Sequence, residues 1–135
     1  KPSELRVREK EIINFERTLA NQGTTIVKFL LHISRDEQWD RMMSRLDDPT
    51  RNWKFNMGDL EERKKWDLYQ ETFQEIVRTT STNFAPWHVI PADSKWFRDL
   101  SVSEIMRNTL EGMNLQWPKP SHDVDEAREL LNKLK

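Results

Sequence analysis

Apolar positions along the chain switch between a helical and a strand-like period. From Ser3 to Gln22, Leu5, Ile12, Phe15 and Leu19 fall near one helical face. Pro2 and Ser3 suit the start of that helix, and Gly23 its C-terminal stop. Thr24 to Ile33 is β-branched and almost continuously apolar, as expected of a strand buried on both faces in a parallel sheet. Ser34 then opens a helix in which Glu37 completes a capping box. Its apolar stripe is Trp39, Met42, Met43 and Leu46. Pro49 ends the pattern by forcing Asp48 out of helical geometry. Residues 49–56 read as a loop. Asn56 and Asp59 resemble a second cap, and a charged amphipathic helix runs on to Thr80 with Trp66, Tyr69, Phe73, Ile76 and Val77 inward. A polar turn, Thr80 to Asn83, leads to a short strand, Trp87 to Pro91. The next helix reaches about Met113 with Val102, Ile105, Met106, Thr109 and Leu110 inward. A Pro-rich linker, Gln116 to Ser121, precedes a final helix capped by Asp123 and Glu126 and carrying Val124, Ala127, Leu131 and Leu134.

Strand, helix, helical excursion, strand, helix is an α/β order. Two strands do not make a stable sheet alone, so further sheet partners are expected from outside this segment or from another chain. In open α/β sheets, ligands sit beyond the carboxyl ends of the strands. The segment Arg41 to Phe55 leaves the first such end and holds cations at 41, 45, 51 and 54; Asp93 and Lys95 follow the second.

Arg41 and Arg45, four residues apart, project from one side of their helix, roughly opposite Trp39 and Met43. Two guanidinium groups so placed suit bidentate phosphate binding, and equally an ordinary solvated face. Lys54, between Trp53 and Phe55, either reaches a ligand or caps the aromatics of a packed loop. Asp47 and Asp48 allow acid–base or metal work, but a helix-ending turn before Pro49 accounts for them. Lys28 interrupts the apolar strand, where it snorkels or faces the absent part of the fold. His32, His88 and His122 share no metal-ligand spacing, no Ser-His-Asp arrangement stands out, and no G-x-x-x-x-G-K-[ST] loop is present.

Composition narrows the classes. With 36% hydrophobic residues, six Trp and six Phe, the chain is not of disordered type. It contains no cysteine, hence no disulfide framework or thiolate site, which fits the cytoplasm. A net charge of −1 argues against a non-specific nucleic-acid binder, so any anion site must be a local cluster. No apolar run is long enough for a membrane span. Because the chain opens on Lys, it is expected to start inside a longer gene product.

An ordered series over residues 10–117 resembles the polyphosphate kinase 2 family. Ile13-Asn14-Phe15-Glu16-Arg17 is similar to the family's I-N-x-F-E-R helix, and Lys28-Phe29-Leu30-Leu31-His32-Ile33-Ser34 to its K-F-x-L-H-I-S strand. Arg45-Leu46-Asp47-Asp48-Pro49 and Trp53-Lys54-Phe55 resemble its lid. Thr80-Ser81-Thr82, Phe84-Ala85-Pro86-Trp87, Ile90-Pro91-Ala92-Asp93 and Lys95-Trp96 resemble its second strand and exit.

The resemblance implies a partial P-loop kinase-like, three-layer α/β/α domain, mostly helical in this segment, with a helical lid over about residues 41–80. Residues 1–115 would form its C-terminal part and 116–135 the linker and last helix. The implied reaction is reversible phosphoryl transfer between inorganic polyphosphate and a nucleotide, ADP, AMP or a guanine equivalent, with Mg²⁺. Arg41, Arg45 and Lys54 would be the lid cations that hold phosphate, with Asp93 and Lys95 on the nucleotide side. Family members suggest a homo-oligomer. The family's Walker A loop, catalytic Asp and Walker B segment are not among these residues, so the isolated chain is expected to be inactive. A non-catalytic helical interaction module and an ATP-using nucleotide kinase are the rival readings.

Overall fold

The structure is a computed structural model that describes residues 2–134, without the side chains of Pro2 and Ser3. The starting role expected of those two side chains therefore lies outside the described residues. In order come α1 (Pro2–Asn21), β1 (Lys28–His32), α2 (Arg35–Asp47), a 3₁₀ turn (Asn52–Lys54), α3 (Gly58–Lys64), α4 (Trp66–Thr80), β2 (Trp87–Pro91), α5 (Lys95–Gly112) and α6 (Val124–Asn132). The chain divides into two compact units, residues 1–105 and 106–135.

In the first unit β1 and β2 pair in parallel, from Lys28 opposite Trp87 to His32 opposite Pro91. Pro91 has no N–H to give the ladder. The N–H of Ala92 bonds the His32 carbonyl instead, at 2.8 Å. Parallel strands require a crossover, and α2 to α4 supply it. The first strand is half the expected length. Thr24 is taken up by the end of α1, where its N–H bonds Leu19 O and that of Gly23 bonds Ala20 O. With Gly23 at φ 87°, this is a Schellman stop, which only a residue tolerant of positive φ completes without strain. Nor are the strands buried on both faces, since Leu31 and Val89 are each about half exposed. With one neighbour per strand among the described residues, the sheet is too narrow to cover both of its faces.

Helix α1 is rotated from its apolar reading. Leu5, Ile12 and Phe15 are exposed, whereas Glu16 is buried. The reason is Lys28. Its ammonium bonds Glu16 Oε2 at 2.9 Å and the Thr80 carbonyl at 2.9 Å. It also lies 5.1 Å from the centre of the Trp87 ring. Trp87 in turn donates its indole N–H to Thr80 Oγ1 at 2.9 Å. One lysine thus joins α1, β1, the C-terminus of α4 and β2; it neither snorkels to solvent nor awaits another half of the fold. Ala85, Ile90 and Ala92 are buried around the second strand.

The helix expected over residues 56–80 is two helices. Lys65 (φ −92°, ψ 17°) breaks it, and its N–H bonds back to Glu62 O. Asn56 does not cap the first of them by its side chain in the expected way. Its Oδ1 takes the N–H of Gly58, two residues on, in a local turn. Of the expected inward residues of α4, Trp66, Phe73, Ile76 and Val77 are part-buried, while Tyr69 is more exposed.

In α5, Val102, Ile105 and Thr109 are part-buried; Met106 and Leu110, also expected inward, are exposed. This helix ends at Gly112, and Asn114, two residues on, has a positive φ of 48° that turns the chain off the helical path. In the second unit, Asp123 caps α6 by accepting from the N–H groups of Asp125 and Glu126. Within α6 Ala127 is part-buried, while Val124 and Leu131, expected inward, are exposed, as is Leu134 just beyond it.

Candidate functional site: a basic helix root at the strand exits

The carboxyl ends of β1 and β2 lie side by side, and α2 leaves from the first. Ser34 caps α2, its hydroxyl accepting from the N–H of Glu37 at 3.1 Å. The reciprocal half of the expected capping box is absent. The N–H of Ser34 goes instead to Asp93 Oδ1, at 2.7 Å, and so crosses from one strand exit to the other. The Ser34 N–H, and then its hydroxyl, hold the Asp93 carboxyl below the usual carboxylate range. Glu37, freed from the cap, takes the guanidinium of Arg41 at 2.7 Å.

Arg41 has a second partner. Its Nη2 donates to the carbonyl of Ala92 at 2.7 Å. Arg41 is therefore turned toward the strand exits, while Trp39 and Leu46 of the supposed inward stripe are about half exposed. Met42 is the buried residue of α2. Polar bonds at the helix root, not the apolar stripe, set the rotation of α2. Arg63 on α3 adds another, donating to the carbonyl of Arg35 and to Gln38 Oε1, both at 2.8 Å.

Arg45 differs. It lines a cavity of about 290 Å³ with Ile33, Gln38, Arg41, Met42, Asp59 and Glu62. It forms no ion pair or hydrogen bond with the described residues, Asp59 included. The other carboxylate of the cavity is committed: Glu62 accepts from the Tyr69 hydroxyl and from Lys65. Those two donors, Tyr69 first, lower its pKa. The Arg45 guanidinium is part-buried in this cavity and without a partner among the described residues, whereas Arg35, at the start of the same helix, is exposed.

Lys54 lies 5.1 Å from the centre of the Trp53 ring in an exposed loop, so in this arrangement it covers an aromatic. Lys95 stands exposed in the first turn of α5. The structure thus brings Arg41, Arg45 and Asp93 to one end of the sheet, each with different partners. Sequence reasoning passed over Arg63, Gln38 and Glu62. A lone arginine in a charged helix carries no spacing signal, and only the break at Lys65 fixes its direction.

Asp48 ends α2 as a turn residue. It accepts from the N–H and hydroxyl of Thr50 and from Arg51. These bonds, the Thr50 hydroxyl first and Arg51 next, lower its pKa from 3.8 to about 2. The folded value lies below the unfolded one, so the contribution is present above about pH 4 and is lost as the pH falls toward 2. Asp48→Asn is expected to lower the denaturant midpoint at neutral pH, with the gap to the parent closing as the pH nears 2. A gap that stays constant with pH would show that the turn does not depend on the charge.

Two parallel strands joined by a helical crossover, with arginines beside their exits, are part of an α/β domain. The chain belongs to the polyphosphate kinase 2 family, whose model, Polyphosphate kinase 2 (PPK2), matches residues 1–118. It is 55% identical over 113 residues to the AMP/ADP-polyphosphate phosphotransferase of Meiothermus ruber, covering 84% of this chain and 42% of that protein. It is 41% identical over 128 residues to an uncharacterized protein in the chlN 3′ region of Leptolyngbya boryana, covering 92% of this chain and 94% of that protein. The crystal structure of polyphosphate kinase 2 from Arthrobacter aurescens TC1 superposes with a TM-score of 0.93 at 44% identity, over 98% of this chain and 47% of that one. The chain thus spans less than half the length of the Meiothermus enzyme and of the Arthrobacter structure.

Proposed function

We propose that this chain is the lid-bearing part of a phosphotransferase that moves a phosphoryl group between inorganic polyphosphate and a nucleoside mono- or diphosphate. The observation that carries this reading is the partner-free guanidinium of Arg45, beside the strand exits, in a chain of this family. The curated relatives named for AMP, ADP and GDP support the substrate class without choosing among the nucleotides.

In the transfer, the bond from the terminal phosphorus of polyphosphate to its bridging oxygen breaks. A bond from that phosphorus to a nucleotide phosphate oxygen forms, and polyphosphate leaves one unit shorter. Such transfer is mostly positioning and charge neutralisation. Arg45 would neutralise phosphate oxygens, Arg41 stand behind it, and Lys54 reach the chain of phosphates by leaving the Trp53 ring. Asp93 would hold the strand exit in shape, with Lys95 beside the nucleotide. Closure of α2 and α3 over the site would exclude water and limit hydrolysis.

Among the described residues no three carboxylates or imidazoles converge as a metal site. Asp93 is already bonded to Ser34. Mg²⁺ enters the proposal as a companion of the phosphate oxygens, its protein ligands expected outside these residues on the family resemblance alone. The reading includes a homo-oligomer and a cytoplasmic setting, supported by family resemblance and the cysteine-free composition. Among the described residues no helix is long and apolar enough to cross a membrane.

The test is ATP formation from ADP and long-chain polyphosphate. Turnover is expected in the full-length protein and none in the isolated 135 residues, which contain no Gly-rich phosphate loop. Polyphosphate-dependent turnover by the isolated chain would overturn the second statement, and its absence from the full-length protein the first.

A further inference from the structure

Resting on that reading, we infer that Arg41 is a positioning residue that latches the lid root to the second strand, leaving Arg45 as the helix's phosphate contact. The two arginines look equivalent by spacing, but their surroundings are not. Arg41 bonds a carboxylate on its own helix and a carbonyl on the neighbouring strand exit, Glu37 Oε1 and Ala92 O. Ala92 is 1% exposed, and its N–H is spent on His32 O, so this residue is a fixed point. A further bond, from Ser34 N–H to Asp93 Oδ1, runs in the same place from the first strand exit to the second. Arg41 and Ser34 therefore tie the first two turns of α2 to β2, and everything beyond Met42 pivots from that root. A phosphate competing for Arg41 would have to displace a carboxylate and leave a buried carbonyl short of its donor, which is costly. The same phosphate meets Arg45 with no protein partner to displace.

Glu37 makes the two possible roles of Arg41 separable by sign. If Arg41 latches the root, losing Glu37 loosens the guanidinium and harms turnover. If Arg41 grips phosphate, losing Glu37 removes a competing anion and tightens polyphosphate binding. The experiment uses the full-length protein with Arg41→Ala, Glu37→Ala and Arg45→Ala, read by steady-state kinetics with long-chain polyphosphate and by amide hydrogen exchange. Arg41→Ala and Glu37→Ala are both expected to lower kcat about tenfold while KM for polyphosphate moves less than about twofold. Both are also expected to speed exchange at the amides of Ser34 to Met42 and of Ala92. Arg45→Ala is expected to raise KM for polyphosphate and leave that exchange unchanged. A lower KM in Glu37→Ala with kcat retained would overturn the latch, as would parental exchange rates in Arg41→Ala. Should the parent protein show no polyphosphate-dependent transfer, the functional reading fails, while the exchange data still decide whether Arg41 holds the root.

Discussion

Lys28→Met is expected to lower the unfolding free energy by about 3 kcal/mol, because it breaks a buried ion pair. The side chains of Lys28 and Glu16 are only 12% and 10% exposed, so neither charge can recover its hydration when the other is removed. The methionine leaves a buried carboxylate without its counter-charge and the Thr80 carbonyl without its donor, and both penalties fall on the folded state. Contact with the Trp87 ring is lost as well, though a thioether recovers part of the packing. The expected signature is a fall in Tm of roughly 10 °C. Glu16→Gln should cost less, since an amide still accepts from the ammonium. The double change Glu16→Leu with Lys28→Met should recover much of the loss, because no buried charge then stands alone. Urea unfolding of the four proteins checks the set. A single Lys28→Met variant within about 0.5 kcal/mol of the parent would mean that the pair is solvated and holds nothing.

That pair also shows what could be read from the sequence and what could not. Lys28 inside an apolar strand was a visible anomaly, because a buried ammonium needs a partner. The partner, Glu16, sits twelve residues back on a helix whose exposed Leu5, Ile12 and Phe15 imitate an inward stripe. Local signals held where they were self-contained. Gly23 stops α1, Ser34 caps α2, Pro49 follows the end of that helix, and the two strands lie at the cores of their apolar runs. They failed where a side chain had a choice between near and distant partners. Glu37 and Ser34 fit a capping box by spacing, yet only one of its two bonds forms. Asp93, fifty-nine residues away, competes for the other donor. The same competition gives Arg41 its carbonyl and leaves Arg45 without one. Their equal spacing could place both on one helix, but not distinguish a clamp from a free cation. The break at Lys65 is a further case, since no glycine or proline marks it, and the sequence there reads as continuous helix.

Arg45→Ala is expected to reduce kcat/KM for polyphosphate by about 100-fold in the full-length protein, in line with loss of one preorganised cation at a phosphoryl-transfer site. These 135 residues have a net charge of −1, so within them Arg45 meets a polyanion as a local cation and not as part of a general positive field. Part-burial in the cavity lowers the local dielectric below that of water, which strengthens each contact Arg45 makes with phosphate. Arg45→Lys should recover about tenfold of the loss, keeping the charge but not the planar fork that meets two phosphate oxygens at once. Asp59 provides a control of opposite sign. It faces the same cavity, so Asp59→Asn removes a repulsion and should lower KM for polyphosphate, most visibly at low ionic strength. Initial rates for the three variants across a salt series check the argument. Parental kinetics in Arg45→Ala would return this arginine to an ordinary solvated helix face and leave the phosphate grip to Lys54 or to groups outside this chain. A loss in Arg45→Lys as deep as in Arg45→Ala would instead place the whole requirement on fork geometry, with charge contributing little.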